Sequence, residues 1–476
     1  MTLAVLLSPG ALVGQEPPDS IRRDSLRLDS IRADSVRADS MGVPTFLLEG
    51  LQVSVARPSA TGGGTSAVSV AMDSVGIRPA PTLENVLRDM PLIQIRRNSR
   101  GEAQPALRGG EDRQIAVLMD GVPLTLGWDA RTDLSIIPLT AARTVRVVRG
   151  LSSVLMGPNV LGGAIEVDIA SGPGSVPAPR PFRASFGLDQ TGATRGQASG
   201  GARLEGSSGS WDITGGLGLQ HTDGFRLANG LLDDPDLRLR YLTADGETRL
   251  NSDARRVDGF LAARYQRDSG AWMSLVGTGI QLERGVAPEA HVDDPRLWRY
   301  PDQRRLVAAL SGGTGFRDTR LGRGDLEISL GLDLGRTDIE AFESESYDQV
   351  VETERGEDRT LTLRTTGDLA VSDRTDVRAA LTLGQVVHDE IIDGGPATTY
   401  EQRLWSLGGE WERRFESLFG VPGLSGSRLT LGATADGSDT PRTGDKPSLG
   451  RLWDWGGRVG LSTLAGGNVL LHTSLS

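Results

Sequence analysis

From residue 181 onward the chain alternates between apolar and polar positions. GDLEISLGLDLG sets Leu326, Ile328, Leu330, Leu332 and Leu334 on one face and Asp325, Glu327, Ser329, Gly331 and Asp333 on the other. That is the period of two a pleated strand imposes. TLTLRTTGDLAV, VRAALTLGQVV, SWDITGGLGLQ, RLTLGATADG and WGGRVGLSTLA repeat it. About a dozen such segments occur, each near the roughly 9–11 residues of a tilted membrane-crossing strand. The polar stretches ANGLLDDPD and FESESYDQVVETERGED read as outer loops. A soluble sandwich or propeller also alternates. Here charge and glycine face an aliphatic side over spanning lengths, which favours a transmembrane antiparallel β-barrel.

Before residue 172 the texture differs. FLLEGLQVSVARPS is a short β-prone run closed by Pro58 and followed by TGGGTS. PTLENVLRDMPLIQI predicts a short helix, with Thr82 as cap, Leu83, Val86 and Leu87 as the buried stripe, and Pro91 past its end. QIAVLMDGVPL predicts strand, turn, strand, because Asp120-Gly121 suits a tight turn with positive φ. The proline-rich PGSVPAPRP at 173–181 is a boundary.

The first residues, TLAVLLSPGALVGQ, have the apolar core and small residues of a secretory signal but lack its basic beginning, so 1–15 reads as a partial signal peptide. Residues 16–45 carry the repeat DSIRR, DSLRL, DSIRA, DSVRA. Its apolar members Ile21, Leu26, Ile31 and Val36 recur every five residues. Neither a helix nor a strand gathers that spacing on one face, so the segment reads as a charged, disordered tether. A solvated single helix with Asp–Arg pairing is the second reading.

Composition removes several classes of function. No run approaches eighteen apolar residues, so a membrane helix is excluded, whereas a barrel is not. The formal net charge of −11 argues against nucleic acid as a partner. With no cysteine, disulfide scaffolds, thiol nucleophiles and cysteine-held zinc are out. His221, His291, His388 and His472 lie far apart and none has a second histidine at metal-ligand spacing. No metal, cofactor or catalytic site is expected, and no enzyme reading survives.

The stretch VRVVRGLSSVLMGPNVLGGAIEVDI at 145–169 carries closely placed glycines. It is not a Walker loop, since Gly162 is followed by Gly163-Ala164 where lysine and a hydroxyl are needed. It is not a dinucleotide loop either, because AIEVDI continues as a strand where a helix is required. The local chemistry gives a strand, a sharp exit at Gly150, one helical turn over SSVLM ended by Gly157-Pro158, and a tight return through Gly162-Gly163.

This stretch resembles the closing motif of the plug domain of TonB-dependent outer-membrane receptors: a Val-Glu-Val-x-Arg-Gly-Pro run, small residues, Tyr-Gly and Gly-Gly-x-Ile-x-Ile. Upstream pieces agree in order. LENVLRDMPLIQI resembles the family's helix plus Pro-Gly-Val strand, ALRGG its Ile-Arg-Gly element, VLMDGVPL its Leu-x-Asp-Gly-Val element and LEGLQVSVAR its TonB-box region. The resemblance covers 46–172 by motif and 181–476 by pattern. Leu151, Met156 and Leu92 depart from the family's proline, tyrosine and glycine. Aromatic content of 5% is low for a barrel with aromatic girdles. The family has 22 strands, and about a dozen cannot enclose such a plug, so the expectation is a β-barrel truncated at its C-terminal side.

The resemblance implies a mostly β protein: an N-terminal α+β plug domain (46–172, with the TonB-box region) and a transmembrane barrel (181–476). It implies import of a scarce nutrient, such as a ferric siderophore or cobalamin-like ligand, across the outer membrane of a Gram-negative-type bacterium. Energy would come from TonB and its inner-membrane complex; the alternative is a signalling, adhesive or structural barrel. Leu51, Gln52, Val53, Ser54, Val55 and Ala56 suit strand addition to TonB, or are simply the plug's first strand. Plug-motif positions are Arg108, Gly109, Asp120, Gly121, Arg149, Gly150, Gly157, Gly162 and Gly163. Arg108 and Arg149 are expected to meet carboxylates of the barrel. Arg97, Arg100, Trp128 and Arg131, on loops matching the outward plug apices, are the candidates for holding an anionic chelate or other small molecule.

Overall fold

Alternation after residue 181 becomes a single antiparallel meander. The computed structural model describes 45–48, 51–54 and most of 66–475; left out of the latter are 73–77, 92, 108, 125–130, 150–153, 158–159, 161, 171–180, 190–192, 228–240, 291, 418–419, 449 and 467–468. Contacts divide the chain into Met1–Phe46 and Leu47–Ser476, and nearly all described residues fall in the second unit. None of the described helices is long and apolar enough to cross a membrane.

The plug region begins with strands β1 (Thr45–Leu48), β2 (Leu51–Ser54) and β3 (Ser66–Ala71), then helix α1 (Leu83–Arg88). It continues through β4 (Ile93–Arg97), β5 (Ala103–Leu107), β6 (Ile115–Met119), β7 (Val122–Pro123), β8 (Thr144–Arg149) and β9 (Gly163–Asp168). Helix α1 starts where the sequence placed it: Thr82 and Asn85 form a reciprocal capping box, and Leu83, Val86 and Leu87 are buried. One sheet runs β1-β2-β3-β8-β9-β6-β7, with β6 and β9 parallel, while β4 and β5 form a separate hairpin. Val68, Val70, Leu83, Leu87, Val147 and Ile165 lie in one buried cluster that runs on to Phe260, Val276 and Val307. The plug's core is therefore completed by the inner wall of the barrel.

That wall comprises β10 (Arg183–Leu188), β11 (Thr194–Gly206), β12 (Gly209–Thr222), β13 (Ala254–Arg267), β14 (Trp272–Gly285) and β15 (Trp298–Gly313). After the short β16 (Arg317–Thr319) come β17 (Gly322–Phe342), β18 (Val350–Ser372), β19 (Thr375–Ile392), β20 (Thr398–Ser417), β21 (Leu424–Thr443), β22 (Arg451–Ala465) and β23 (Val469–Leu475). Each pairs with the next in order, and β16 pairs only with β17. Leu326, Ile328, Leu330 and Leu332 are exposed on the outer face. Thr360, Thr362, Thr382 and Ser406 are buried on the inner one, the polarity of a barrel whose outer face meets lipid.

Two expectations need correction. The strands far exceed 9–11 residues: β17 has 21 and β18 has 23. At about 3.3 Å per residue β18 is roughly 75 Å long, well beyond a tilted crossing. Second, FESESYDQVVETERGED is a loop only over 343–349, since Phe342 ends β17 and Val350 onward is β18. Beyond the apolar band both faces of a strand are wet, so alternation vanishes and a strand reads as a loop. Cross-strand pairs such as Arg355–Asp338 (2.8 Å) and Arg359–Asp389 (2.8 Å) tie these extensions together.

Candidate functional site

The β4–β5 hairpin builds the first part of the site. At its tip Asn98 Oδ1 accepts the backbone N–H groups of Arg100 and Glu102, both at 3.0 Å, and Gly101 takes φ +76°. This Asx geometry fixes the tip before any ligand arrives. Arg100 Nη2 lies 3.2 Å from Glu354 Oε1, and its guanidinium stands 5.4 Å from the Trp298 ring centre. Tyr300 donates its hydroxyl to Arg100 O at 3.0 Å. The barrel thus clasps the hairpin tip.

The predicted ligand arginines do not converge. Arg97 turns back within the plug to the nearly buried Glu84 (2.8 Å), which also takes Arg88. Arg100 is held by the barrel as described. Arg131 Nε lies 3.8 Å from Asp112 Oδ2. Trp128 lies outside the described residues.

The barrel supplies a cluster that sequence reasoning missed. Arg284 of β14 reaches Asp133 at 2.9 Å and Ser135 Oγ at 2.8 Å, with Tyr300 4.8 Å from its guanidinium. Burial pushes the Asp133 carboxyl up, but Arg284, the Ser135 hydroxyl and backbone N–H of Ala103 and Ser135 outweigh it and hold it below its ordinary range. Around it, Arg296 and Arg100 both approach Trp298, and Arg249 stacks on Tyr241 at 5.2 Å. Asn251 donates to Val286 O (2.9 Å) and Trp298 O (2.8 Å), binding two loops to each other. Local spacing carries no trace of pairs so far apart in the chain.

The glycine-rich motif is a set of close backbone approaches. Asp120 and Gly121 both have positive φ (+44° and +81°), giving the β6–β7 turn, and Asp120 accepts backbone N–H from Ile169 (2.8 Å) and Ala170 (3.2 Å). Gly109 and Gly157 also have positive φ. A side chain at Gly163, where φ is +145°, would collide with Val148 O across the β8–β9 pair. Gly162 and Gly110 pass so closely that a Cβ on Gly110 would lie 2.8 Å from Gly162 Cα. The turn between the strands is Val154–Met156.

Arg108 and Gly150 lie outside the described residues, and for Arg149 only the backbone, at the end of β8, is described. Among the described residues it is the barrel's arginines that reach inward. Arg364 of β18 donates to Gly121 O (3.1 Å) and Leu155 O (3.0 Å), Arg256 of β13 donates to Ala80 O, and Arg284 takes Asp133. At the plug's other edge Leu51, Gln52, Val53 and Ser54 form β2, and Ser54 pairs with Ser69 of β3. Val55 and Ala56 lie outside the described residues.

Residues 57–164 match the TonB-dependent Receptor Plug Domain family. This part of the chain is a plug domain of the TonB-dependent receptor type. A vitamin B12 transporter BtuB of Photobacterium profundum is 30% identical over 106 residues, 22% of this chain and 18% of that relative. The heme/hemopexin utilization protein C of Haemophilus influenzae is 31% identical over 96 residues, 20% of this chain and 13% of that one. Among solved structures, the copper transporter OprC superposes with a TM-score of 0.66 at 15% identity, over 86% of this chain and 62% of that one. The FrpB iron transporter of Neisseria meningitidis gives 0.64 at 10% identity, over 87% and 65%. At such identities the likeness is one of fold. The chain thus spans under two thirds of these solved structures and aligns with less than a fifth of the curated relatives.

Proposed function

We propose that this chain imports a scarce nutrient across the outer membrane of a Gram-negative-type bacterium, with energy transmitted by TonB. The observation that carries this reading is the plug itself: a folded domain whose core is completed by the barrel wall and which barrel arginines bond at separate points. Such a stopper has to be moved for cargo to pass. Relatives named for vitamin B12 transport and for heme utilisation support a metal-chelate or cofactor-sized cargo, of which ferric siderophores and cobalamin-like molecules are the classes to test. The chain works as a carrier and not as an enzyme, and residues 46–172 and 181–476 are its plug and barrel, preceded by a signal-like segment and the DSxRx tether.

Leu51–Ala56 is the segment offered to TonB. The described part is already extended, but β2 lies between β1 and β3, so a partner strand adds to it only once β1 leaves that edge. Arg131 and Trp128 remain the ligand candidates of this reading, while Arg97 is engaged by Glu84 and Arg100 ties the apex to the barrel.

The test is uptake of labelled ferric siderophore, cobalamin and heme by cells carrying the receptor, with and without TonB and with Leu51–Ala56 deleted. Accumulation of one cargo that needs both TonB and the segment is expected. Binding without TonB-dependent accumulation of any cargo would replace this reading by a signalling, adhesive or structural role.

A further inference from the structure

Ala80 lies in the left-handed region at φ +49°, between Pro79 and Pro81, with none of its surface exposed. Two features of the sequence oppose that conformation. A Cβ crowds the backbone wherever φ is positive, and a following proline pushes the residue before it toward extended backbone. Yet the plug does not hold Ala80 in place. Both of its main-chain groups bond to barrel side chains: its N–H donates to Gln197 Oε1 of β11 at 2.9 Å, and its carbonyl accepts Arg256 Nη2 of β13. The next carbonyl, that of Pro81, already belongs to the plug and accepts Leu139 N–H at 2.9 Å.

The wall is shaped for this grip. Arg256 Nε lies 3.2 Å from Asp258 Oδ2, with both side chains almost wholly buried, so the guanidinium is fixed in direction. Asp258 and the plug's Thr140 fill the space that a side chain on Gly218 would take: a Cβ there would lie 2.6 Å from Asp258 Oδ2 and 2.7 Å from Thr140 Oγ1. Beside the turn, toward β10 and β11, is a cavity of about 460 Å³ bordered by Arg78, Pro79, Pro81, Thr140, Gln197 and Ser199. A turn that lets go of the wall therefore has room to straighten without disturbing the apolar core.

We infer that Pro79-Ala80-Pro81 is a strained latch, held shut by Gln197 and Arg256 and sprung toward release. Once the plug leaves the wall, Ala80 loses both partners, and the extended backbone favoured before proline becomes its resting state. The strain relieved on straightening offsets part of the cost of the two bonds lost. The latch lies between β3 and α1, so a pull on β2 that strips β3 from β8 arrives next at Ala80. Its use in transport rests on the function proposed above. Its existence rests only on the backbone and the two barrel side chains.

Amide exchange on the full chain in membranes, without cargo or TonB, tests the latch directly. Proline carries no N–H, so Ala80 is the sole amide of the turn. Ala80→Gly removes the penalty at positive φ. It should slow exchange at residue 80 about fivefold after correction for the intrinsic rates, whereas a merely structural turn would loosen and exchange faster. Gln197→Met should speed exchange about tenfold by leaving the N–H without an acceptor, and Gln197→Glu, which keeps an acceptor oxygen, should restore the slow rate. A second arm follows TonB-driven uptake of labelled ferric siderophore, cobalamin and heme, which Ala80→Gly should slow while binding of the cargo is unchanged. Exchange in Ala80→Gly at or above the rate of the unaltered chain, or no acceleration in Gln197→Met, would overturn the latch. Slower exchange with unaltered uptake would leave it no part in transport. If no cargo accumulates in any variant, the import reading fails, and exchange still decides the latch.

Discussion

Arg284 on the barrel and Asp133 on the plug form an ion pair of 2.9 Å whose side chains are each only 8% exposed. The two residues lie on different elements, the wall and the plug, and transport as proposed requires the second to move against the first. Ser135 Oγ and the Tyr300 ring complete the arginine's surroundings, and Ala103 N–H supports the aspartate. A buried pair is poor evidence of net stability, but losing one member is costly because the other is left charged and unpaired.

Asp133→Asn should therefore destabilise the seated plug by about 3–5 kcal/mol, and replacing both residues with apolar ones should recover much of that. The pH dependence follows from the lowered carboxyl. Its folded pKa lies below the unfolded value of about 3.9, so its contribution is fully present above about pH 4 and is lost as pH falls through the folded value. Thermal melts of the receptor should show an acid limb that Asp133→Asn flattens. An unchanged acid limb in that variant would remove Asp133 from the account.

Arg364 holds two plug turns at once through Gly121 O and Leu155 O. Each charge-assisted bond contributes on the order of 1.5–3 kcal/mol, set against the cost of burying the guanidinium. Arg364→Met should accordingly leave the global melting temperature nearly unchanged. It should speed amide exchange at Val122, Leu124 and 155–157. Exchange at wild-type rates in both turns would show that Arg364 merely fills space.

How much of this was legible beforehand follows from where water and lipid act. Lipid imposes a period of two on Leu326 to Leu334, so the membrane part of β17 was plain. The same strand family was misread at Val350–Gly356, where both faces are wet and Glu352, Glu354 and Arg355 look like loop. Helix α1 and the Asp120-Gly121 turn were legible because their signals are local: a capping box and two adjacent residues with positive φ. Arg284–Asp133, Arg100–Glu354 and Arg364–Gly121 join residues that no short-range pattern relates. The expectation of plug arginines meeting barrel carboxylates stays unanswered for Arg108 and Arg149, whose side chains lie outside the described residues. The described contacts run mainly the other way, from barrel arginine to plug backbone.

Asp168 at the end of β9 gives a pH response of opposite sign. Burial first, then the charges of Glu166 and Asp120, push its carboxyl up to about 8, with Arg146 only partly opposing them. A carboxyl raised above its unfolded value of about 3.9 penalises the folded state wherever the unfolded chain would be ionised. Stability should thus decline as pH rises from about 4 to about 8 and level off beyond. Asp168→Asn should remove that decline, giving a higher melting temperature at pH 8 with little change at pH 4. Parallel pH profiles for variant and wild type would sink the assignment.

Two glycines of the closing motif separate the cost of close approach from the cost of backbone conformation. Gly163 has φ +145° and Val148 O in the space a Cβ would need, across a strand pair at the centre of the plug sheet. Gly157 has φ +109° but nothing within 4 Å of its ideal Cβ. Alanine at Gly157 should cost about 1–3 kcal/mol from strain alone. Alanine at Gly163 adds a clash with main chain that no side-chain rotation relieves, forcing β8 and β9 apart and exposing Val147 and Ile165. Limited proteolysis of the receptor in membranes should accordingly show the plug intact in Gly157→Ala and cleaved in Gly163→Ala. Equal resistance of the two variants would mean that the β8–β9 pair does not need its close backbone contact.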